Sequence, residues 1–91
     1  MRLQKGWTMA KVEVRLPQWG MGMTDGEVVE WLRQVGDDVR EGDPLVEIET
    51  AKVTEILESP VSGTLVQILV NVTETAEVRD VLAVIETGDA D

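Results

Sequence analysis

The sequence predicts an all-β fold, a flattened barrel or sandwich of two small antiparallel sheets (a barrel-sandwich hybrid) with internal quasi-two-fold symmetry. Three observations lead there. Short runs of Val, Ile and Leu bounded by Gly, Pro and Asp recur through residues 12–86, the composition of strands parted by turns. Gly26–Thr50 laid on Gly63–Thr87, an offset of 37 without a gap, is identical at nine of 25 positions. Those positions are Gly26/Gly63, Val29/Val66, Leu32/Leu69, Val35/Val72, Asp43/Asp80, Leu45/Leu82, Ile48/Ile85, Glu49/Glu86 and Thr50/Thr87, the mark of an internal duplication. Finally, the stretches that carry a helical period lack helix caps.

Taken in order, residues 1–11 have no clear period and a local excess of positive charge. They read as a disordered tail or an artificial remnant, with Met9-Ala10 suited to a natural start. The folded unit is expected over residues 12–87, and residues 88–91 as the start of a linker or a C-terminal tail. The first strand is Val12–Leu16. Val28, Trp31, Leu32 and Val35 then fall at i, i+3, i+4 and i+7, and so do Leu65, Ile68, Leu69 and Val72. That spacing suits a helix. Both segments are short, rich in Val and Ile, and lack an N-cap after Gly26 or Gly63, so they are read as strands that bend or bulge between sheets. Gly36-Asp37-Asp38 and Glu41-Gly42-Asp43-Pro44 are turns. The strands Leu45–Glu49 and Val53–Leu57 flank a hairpin at Thr50-Ala51-Lys52-Val53. In the second half Thr73-Glu74-Thr75 and Arg79-Asp80 stand where the glycine turns were, a divergence of the repeat, before a last strand at Val81–Glu86.

Gly26 and Gly63 are expected to serve either positive φ or close backbone approach. Trp31 and Ile68, equivalent in the repeat, are read as core. Trp19 fits either core or an exposed contact near the hairpin. Met21 and Met23 suit loop packing more than a partner surface. The 37-residue register gives Lys52 the counterpart Asp89 and, in the other direction, Arg15. The hairpin tip and the chain ends should then lie at opposite ends of the sandwich.

Composition excludes much. Ninety-one residues allow one small domain, and without Cys or His there is no thiol nucleophile, no Ser-His-Asp triad and no ordinary zinc site. Absence of Cys is compatible with the cytoplasm. No apolar run approaches the roughly 18–20 residues of a membrane span. A net charge of −10 argues against nucleic acid. It suits a solvated surface or steering toward basic patches on partner enzymes.

One residue remains. Of three lysines, Lys5 and Lys11 lie in the expected tail and Lys52 alone sits at the hairpin. A lone lysine at the join of a duplicated β unit is either a solvated turn residue or an attachment point for a cofactor. Glu49, Thr50, Ala51 and Val53 beside it are the candidate surface read by partners. Glu47, Glu49, Glu55 and Glu58 alternate nearby as an acidic patch or as ordinary exposed strand faces.

Three blocks settle the choice by resemblance. They are Leu16-Pro-Gln-Trp-Gly-Met-Gly-Met-Thr-Asp-Gly26, then Trp31 with Gly36-Asp-Asp-Val39 and Glu41-Gly-Asp-Pro-Leu45, and Ile48-Glu-Thr-Ala-Lys52 with Ser59-Pro-Val-Ser-Gly63. In this order and spacing the chain resembles the lipoyl domain of the dihydrolipoamide acyltransferase components of 2-oxo acid dehydrogenase complexes. The resemblance implies that Lys52 carries lipoic acid through an amide. The residue before that lysine is commonly Asp in the family and is Ala51 here, which removes a charge beside the arm. The implied role is a non-catalytic carrier whose lipoyl swinging arm moves acyl groups and reducing equivalents. Its implied partners are a lipoate ligase or lipoyl transferase, a thiamine-dependent 2-oxo acid decarboxylase, an acyltransferase catalytic domain and a dihydrolipoyl dehydrogenase. The implied compartment is the cytoplasm, or the mitochondrial matrix in a eukaryote. Such chemistry belongs to the cofactor, and the protein presents it.

Three related readings compete. A biotinyl domain shares the duplicated fold, but that family typically has Met on both sides of its lysine, where this chain has Ala51 and Val53. Hairpin domains of efflux-pump fusion components need no tip lysine and sit between long helices. The glycine-cleavage carrier is a longer chain with different residues around its lysine.

Overall fold

The structure, a computed structural model, describes residues 8–89. Its eight strands are β1 (Thr8–Arg15), β2 (Asp25–Trp31), β3 (Asp38–Val39), β4 (Pro44–Glu49), β5 (Thr54–Glu58), β6 (Gly63–Ile68), β7 (Thr75–Glu77) and β8 (Val81–Asp89). They form two four-stranded antiparallel sheets, ordered β1-β8-β6-β3 and β5-β4-β2-β7. The sheets pack as a sandwich and do not close into a barrel.

The two stretches with a helical period are strands β2 and β6. Each has a register shift where the period of two breaks, between Val28 and Glu30 against β4 and between Leu65 and Gln67 against β8. The extra residues, Val29 and Val66, are one repeat apart. A bulge adds one residue to the alternation, and this produces an i, i+3 spacing without a helix.

The repeat extends to individual hydrogen-bonded pairs. Glu27↔Glu49, Val28↔Ile48, Glu30↔Glu47 and Trp31↔Val46 recur 37 residues later as Thr64↔Glu86, Leu65↔Ile85, Gln67↔Val84 and Ile68↔Ala83. β1 and β5 are the outer members of the two equivalent sheets and follow a different offset. Arg15 faces Val81 as Glu58 faces Pro44, so β1 maps onto β5 at 43 residues. The reason is an insertion. Ten residues separate Leu16 from Gly26 and four separate Ser59 from Gly63, so the first connection is six longer. The pairing of Lys52 with Arg15 is thereby corrected: Arg15 is the equivalent of Glu58, at the far end of its strand from the hairpin.

The core lies between the sheets and is itself duplicated. Val28/Leu65, Val39/Ala76, Leu45/Leu82, Val46/Ala83 and Ile48/Ile85 are all buried. Leu16 and Ser59 are equivalent at the longer offset and also both buried. Ser59, the buried polar residue of this core, donates its hydroxyl to the Val61 carbonyl at 2.6 Å, which offsets its desolvation. Trp31 packs half-buried against the core and donates its indole N–H to the Val70 carbonyl at 2.8 Å. Ile68 packs there too.

Gly26 and Gly63 answer to close approach. A Cβ on Gly26 would stand 2.6 Å from Ile48 Cγ2, and one on Gly63 would stand 2.5 Å from the Glu86 carbonyl oxygen.

The turns keep one backbone with two chemistries. Gly36 and Gly42 have φ of 101° and 91°; one repeat later Thr73 and Arg79 hold φ of 75° and 80°. The side chains bracing them are also repeated. Asp37 accepts from Gln34 N–H and Asp43 from Arg40 N–H. Glu74 and Asp80 accept likewise from Asn71 and Glu77. These carboxylates hold the second pair of turns in a conformation that L residues resist.

The boundary expected at residue 12 falls inside a ladder. Thr8–Lys11 pair with Glu86–Asp89, so β1 begins within the segment read as tail and β8 continues past Thr87. Residues 1–7 and 90–91 of the two expected tails lie outside the described residues.

Candidate functional site

Strands β4 and β5 end at a hairpin whose outermost residues are Ala51 and Lys52. Neither has a positive φ, as expected of side chains that avoid the left-handed region. Thr50 closes the turn in place of a glycine. Its N–H donates to the Val53 carbonyl at 2.8 Å and its hydroxyl to the same oxygen at 2.9 Å. That hydroxyl oxygen also accepts from the N–H groups of Val53 (3.1 Å) and Lys52 (3.3 Å). The hydroxyl thus stands in for a backbone partner, as Ser and Thr do in turns. Lys52 is left exposed at the tip, and no ion pair among the described residues involves it.

The residues proposed from sequence separate into three kinds. Ala51 and Val53 are exposed beside Lys52, Val53 by 47%. Thr50 is half-buried with its hydroxyl committed to the turn. Glu49 points elsewhere. It faces Glu27 across one strand boundary and Thr54 across the other, and directly opposed residues project from the same side of a sheet. Glu47 faces Glu30. The acidic patch read along the sequence is therefore a ladder across β2 and β4, made of Glu27, Glu30, Glu47 and Glu49. Glu55 opposes the buried Ile48 instead and turns toward the hairpin.

The β1–β2 connection flanks Lys52; the sequence left Trp19 between core and a contact near the hairpin and read Met21 and Met23 as loop packing, whereas Met21 is exposed. A groove of about 340 Å³ is lined by residues 19–24 of that connection, by Asp25 at the start of β2, and by Thr50, Ala51, Lys52, Val53 and Glu55. Gly22 at φ 82° and a Met23 N–H to Gly20 carbonyl bond of 3.2 Å make a tight turn with Met21 at its corner, 95% exposed. Trp19 and Met23 pack half-buried against the core beneath it. The six-residue excess of this connection over its counterpart is the sequence signal that would have found it.

The path of the chain also sets the poles. Thr8 and Asp89 pair at one end of the β1–β8 ladder. From there β1 runs eight residues to Arg15, beyond which the chain enters the loop beside Lys52. The described ends and the hairpin therefore lie toward opposite ends of the domain.

Among the described residues no group of three or more acidic, His or Cys side chains could hold a metal ion. No helix there is long and apolar enough to cross a membrane. At the hairpin tip the exposed reactive group is the primary amine of Lys52.

Known proteins resemble this chain. The model of the family described as "Biotin-requiring enzyme" matches residues 12–85. The dihydrolipoyllysine-residue acetyltransferase component of the acetoin cleaving system of Pseudomonas putida is 40% identical over 84% of this chain and 20% of its own length. The acetyltransferase component of the pyruvate dehydrogenase complex of Corynebacterium glutamicum is 42% identical over 91% of this chain and 12% of its own. The succinyltransferase component of the 2-oxoglutarate dehydrogenase complex of Staphylococcus saprophyticus is 41% identical over 84% and 18%. A solved single-chain, multi-domain long-chain acyl-CoA carboxylase superposes with a TM-score of 0.71 at 26% identity, over 89% of this chain and 7% of its own. The chain spans a fifth or less of each of these proteins.

Proposed function

The chain belongs to the biotin/lipoyl attachment family, and from that premise we propose that it is a lipoyl carrier domain with lipoate attached to Lys52. The observation that carries the reading is Lys52 itself: exposed, at the tip of a hairpin locked by Thr50, and the only lysine after Lys11. The relatives named as dihydrolipoyllysine-residue acyltransferase components favour lipoate over biotin, as do Ala51 and Val53 on either side of the lysine.

The residues present fit the group. A ligase needs an amine it can approach, and the tip offers one clear of both sheets. Acylation removes the ammonium charge, so Lys52 would root a long neutral arm. When bound, the group would supply a cyclic disulfide for acyl and electron transfer among a thiamine-dependent 2-oxo acid decarboxylase, an acyltransferase and a dihydrolipoyl dehydrogenase, with Lys52 as the residue that would hold it. The chain's part is presentation. Its hairpin holds the root of the arm outward, and its ends leave from the opposite pole, where they would not obstruct docking. Tethering keeps the arm at high local concentration near each partner site. The domain performs no catalysis, and the cytoplasm is the compartment this role suits.

Incubation of the unmodified chain with a lipoate ligase, and separately with a biotin ligase, tests the reading by peptide mass mapping. Lipoylation confined to Lys52 is expected, with no addition to Lys52→Arg. Modification of Lys5 or Lys11 with Lys52 bare, or acceptance of biotin alone, overturns it.

A further inference from the structure

The groove beside Lys52 is built with more care than a passive surface requires. Three hydrogen bonds brace its loop wall around Gly22 in the left-handed region: Met23 N–H to the Gly20 carbonyl at 3.2 Å, Gln18 Nε2 to the Met23 carbonyl at 3.3 Å, and Trp19 N–H to Met23 Sδ at 3.4 Å. The result is a hydrogen-bonded loop that holds Met21 almost wholly in solvent, beside a half-buried Trp19 and Met23. Met21 and Val53, both exposed, line the same groove with Trp19 and Met23, so the apolar surface here is gathered at one place rather than scattered singly. The fold's symmetry supplies a control. The equivalent connection after Ser59 is six residues shorter and leads to no lysine, so the wall is an addition made only where the lysine stands.

We propose that this groove is a seat for the arm on Lys52, in which the neutral chain and its sulfur ring rest against Met21, Met23, Trp19 and Val53 between visits to partner enzymes. The proposal rests on lipoylation of Lys52. Lys52 lines the groove, so an arm rooted there enters it without crossing open solvent. The volume of about 340 Å³ lies within the range of pockets that take a small ligand. Thioethers and an aromatic ring are suited to a polarisable disulfide and an alkyl chain. Asp25 and Glu55 line the same groove as Lys52 without forming an ion pair with it. Once the amide forms the lysine's charge is gone and the apolar wall dominates. Ordering the many rotors of the arm offsets much of the gain, so the seat is occupied reversibly, which is what a carrier requires.

The test uses the chain after mass analysis has shown lipoate on Lys52, with methionine methyl groups isotopically labelled for NMR. Seating predicts nuclear Overhauser contacts from the dithiolane protons to the Met21 methyl group and the Trp19 ring. It also predicts that a soluble phosphine reduces the arm's disulfide several-fold more slowly than in a short peptide carrying lipoyl-lysine. Met21→Ser, a change at an exposed corner that leaves the core untouched, should abolish the contacts and restore the peptide's rate. Peptide-like reduction of the parent chain with no such contacts overturns the seat alone. A Lys52 that refuses lipoate overturns the carrier reading and the seat with it.

Discussion

The Thr50 hydroxyl accepts the N–H of Val53 at 3.1 Å while donating to the carbonyl of the same residue at 2.9 Å. One side chain thereby closes the turn that presents Lys52, without the glycine that tight hairpins usually need. The bond pair acts with the Thr50 N–H to Val53 carbonyl bond at 2.8 Å and the Lys52 N–H to the same hydroxyl to hold residues 51 and 52 in the turn.

Thr50→Val should therefore loosen the tip more than the domain. A loss of about 0.5–1 kcal/mol is expected in urea unfolding, the net worth of an exposed hydrogen-bonded hydroxyl. Lipoylation of Lys52 should slow several-fold, and Thr50→Ser should restore both. An unchanged ligase rate in the valine variant would show that the turn holds without the hydroxyl.

The two symmetry-related glycines should differ in tolerance. Alanine at Gly63 meets the Glu86 carbonyl at 2.5 Å, and backbone cannot step aside; alanine at Gly26 meets mainly a side-chain methyl of Ile48 at 2.6 Å. Gly63→Ala should cost about 2–3 kcal/mol and Gly26→Ala about 1 kcal/mol, read from equilibrium denaturation. Equal costs would mean that the Glu86 strand yields as readily as a methyl group.

Thr73 and Arg79 hold left-handed conformations that their repeat partners fill with glycine. Thr73→Gly and Arg79→Gly should each stabilise the domain by about 1 kcal/mol, because the steric penalty of a Cβ at positive φ exceeds the added entropy of the unfolded chain. The reverse change, Gly36→Thr, should destabilise. A fall in midpoint for both glycine variants would place the worth of those side chains in contacts rather than strain.

Much of this was legible in the sequence. The strands β1, β4, β5 and β8 announce themselves by β-branched runs, and the offset of 37 foretells the ladder of β2 with β4 and of β6 with β8. What was hidden has physical causes. The bulges at Val29 and Val66 imitate a helical period, so only length and missing caps argue for strands. The insertion before Gly26 shifts the register of β1 from 37 to 43 residues, which no ungapped alignment of the halves reveals. The turns at Thr73 and Arg79 look divergent because the carboxylates of Glu74 and Asp80 that brace them act through space. Lys52 was singled out by the blocks that flank it, and the structure places it exposed at a hairpin tip. The groove as a whole was hidden because Met21, Met23 and Val53 meet only once the loop folds back on the hairpin, although Trp19 was already a candidate contact there.

The carboxylate ladder of Glu27, Glu30, Glu47 and Glu49 places like charges directly opposite one another, an arrangement that disfavours folding and suits a basic docking partner. Second-order reductive acylation of the lipoylated domain by its decarboxylase should slow as ionic strength rises. A rate flat across salt would leave the net charge of −10 to solubility.

The most direct test of the central claim is the intact mass of the chain purified from its native host, followed by peptide mapping, because lipoyl and biotinyl adducts differ in mass. One lipoyl group per chain, located on Lys52 and absent from Lys52→Arg, is the predicted result. A biotinyl group on Lys52, or an unmodified Lys52 in cells whose other lipoyl proteins are fully modified, would contradict it.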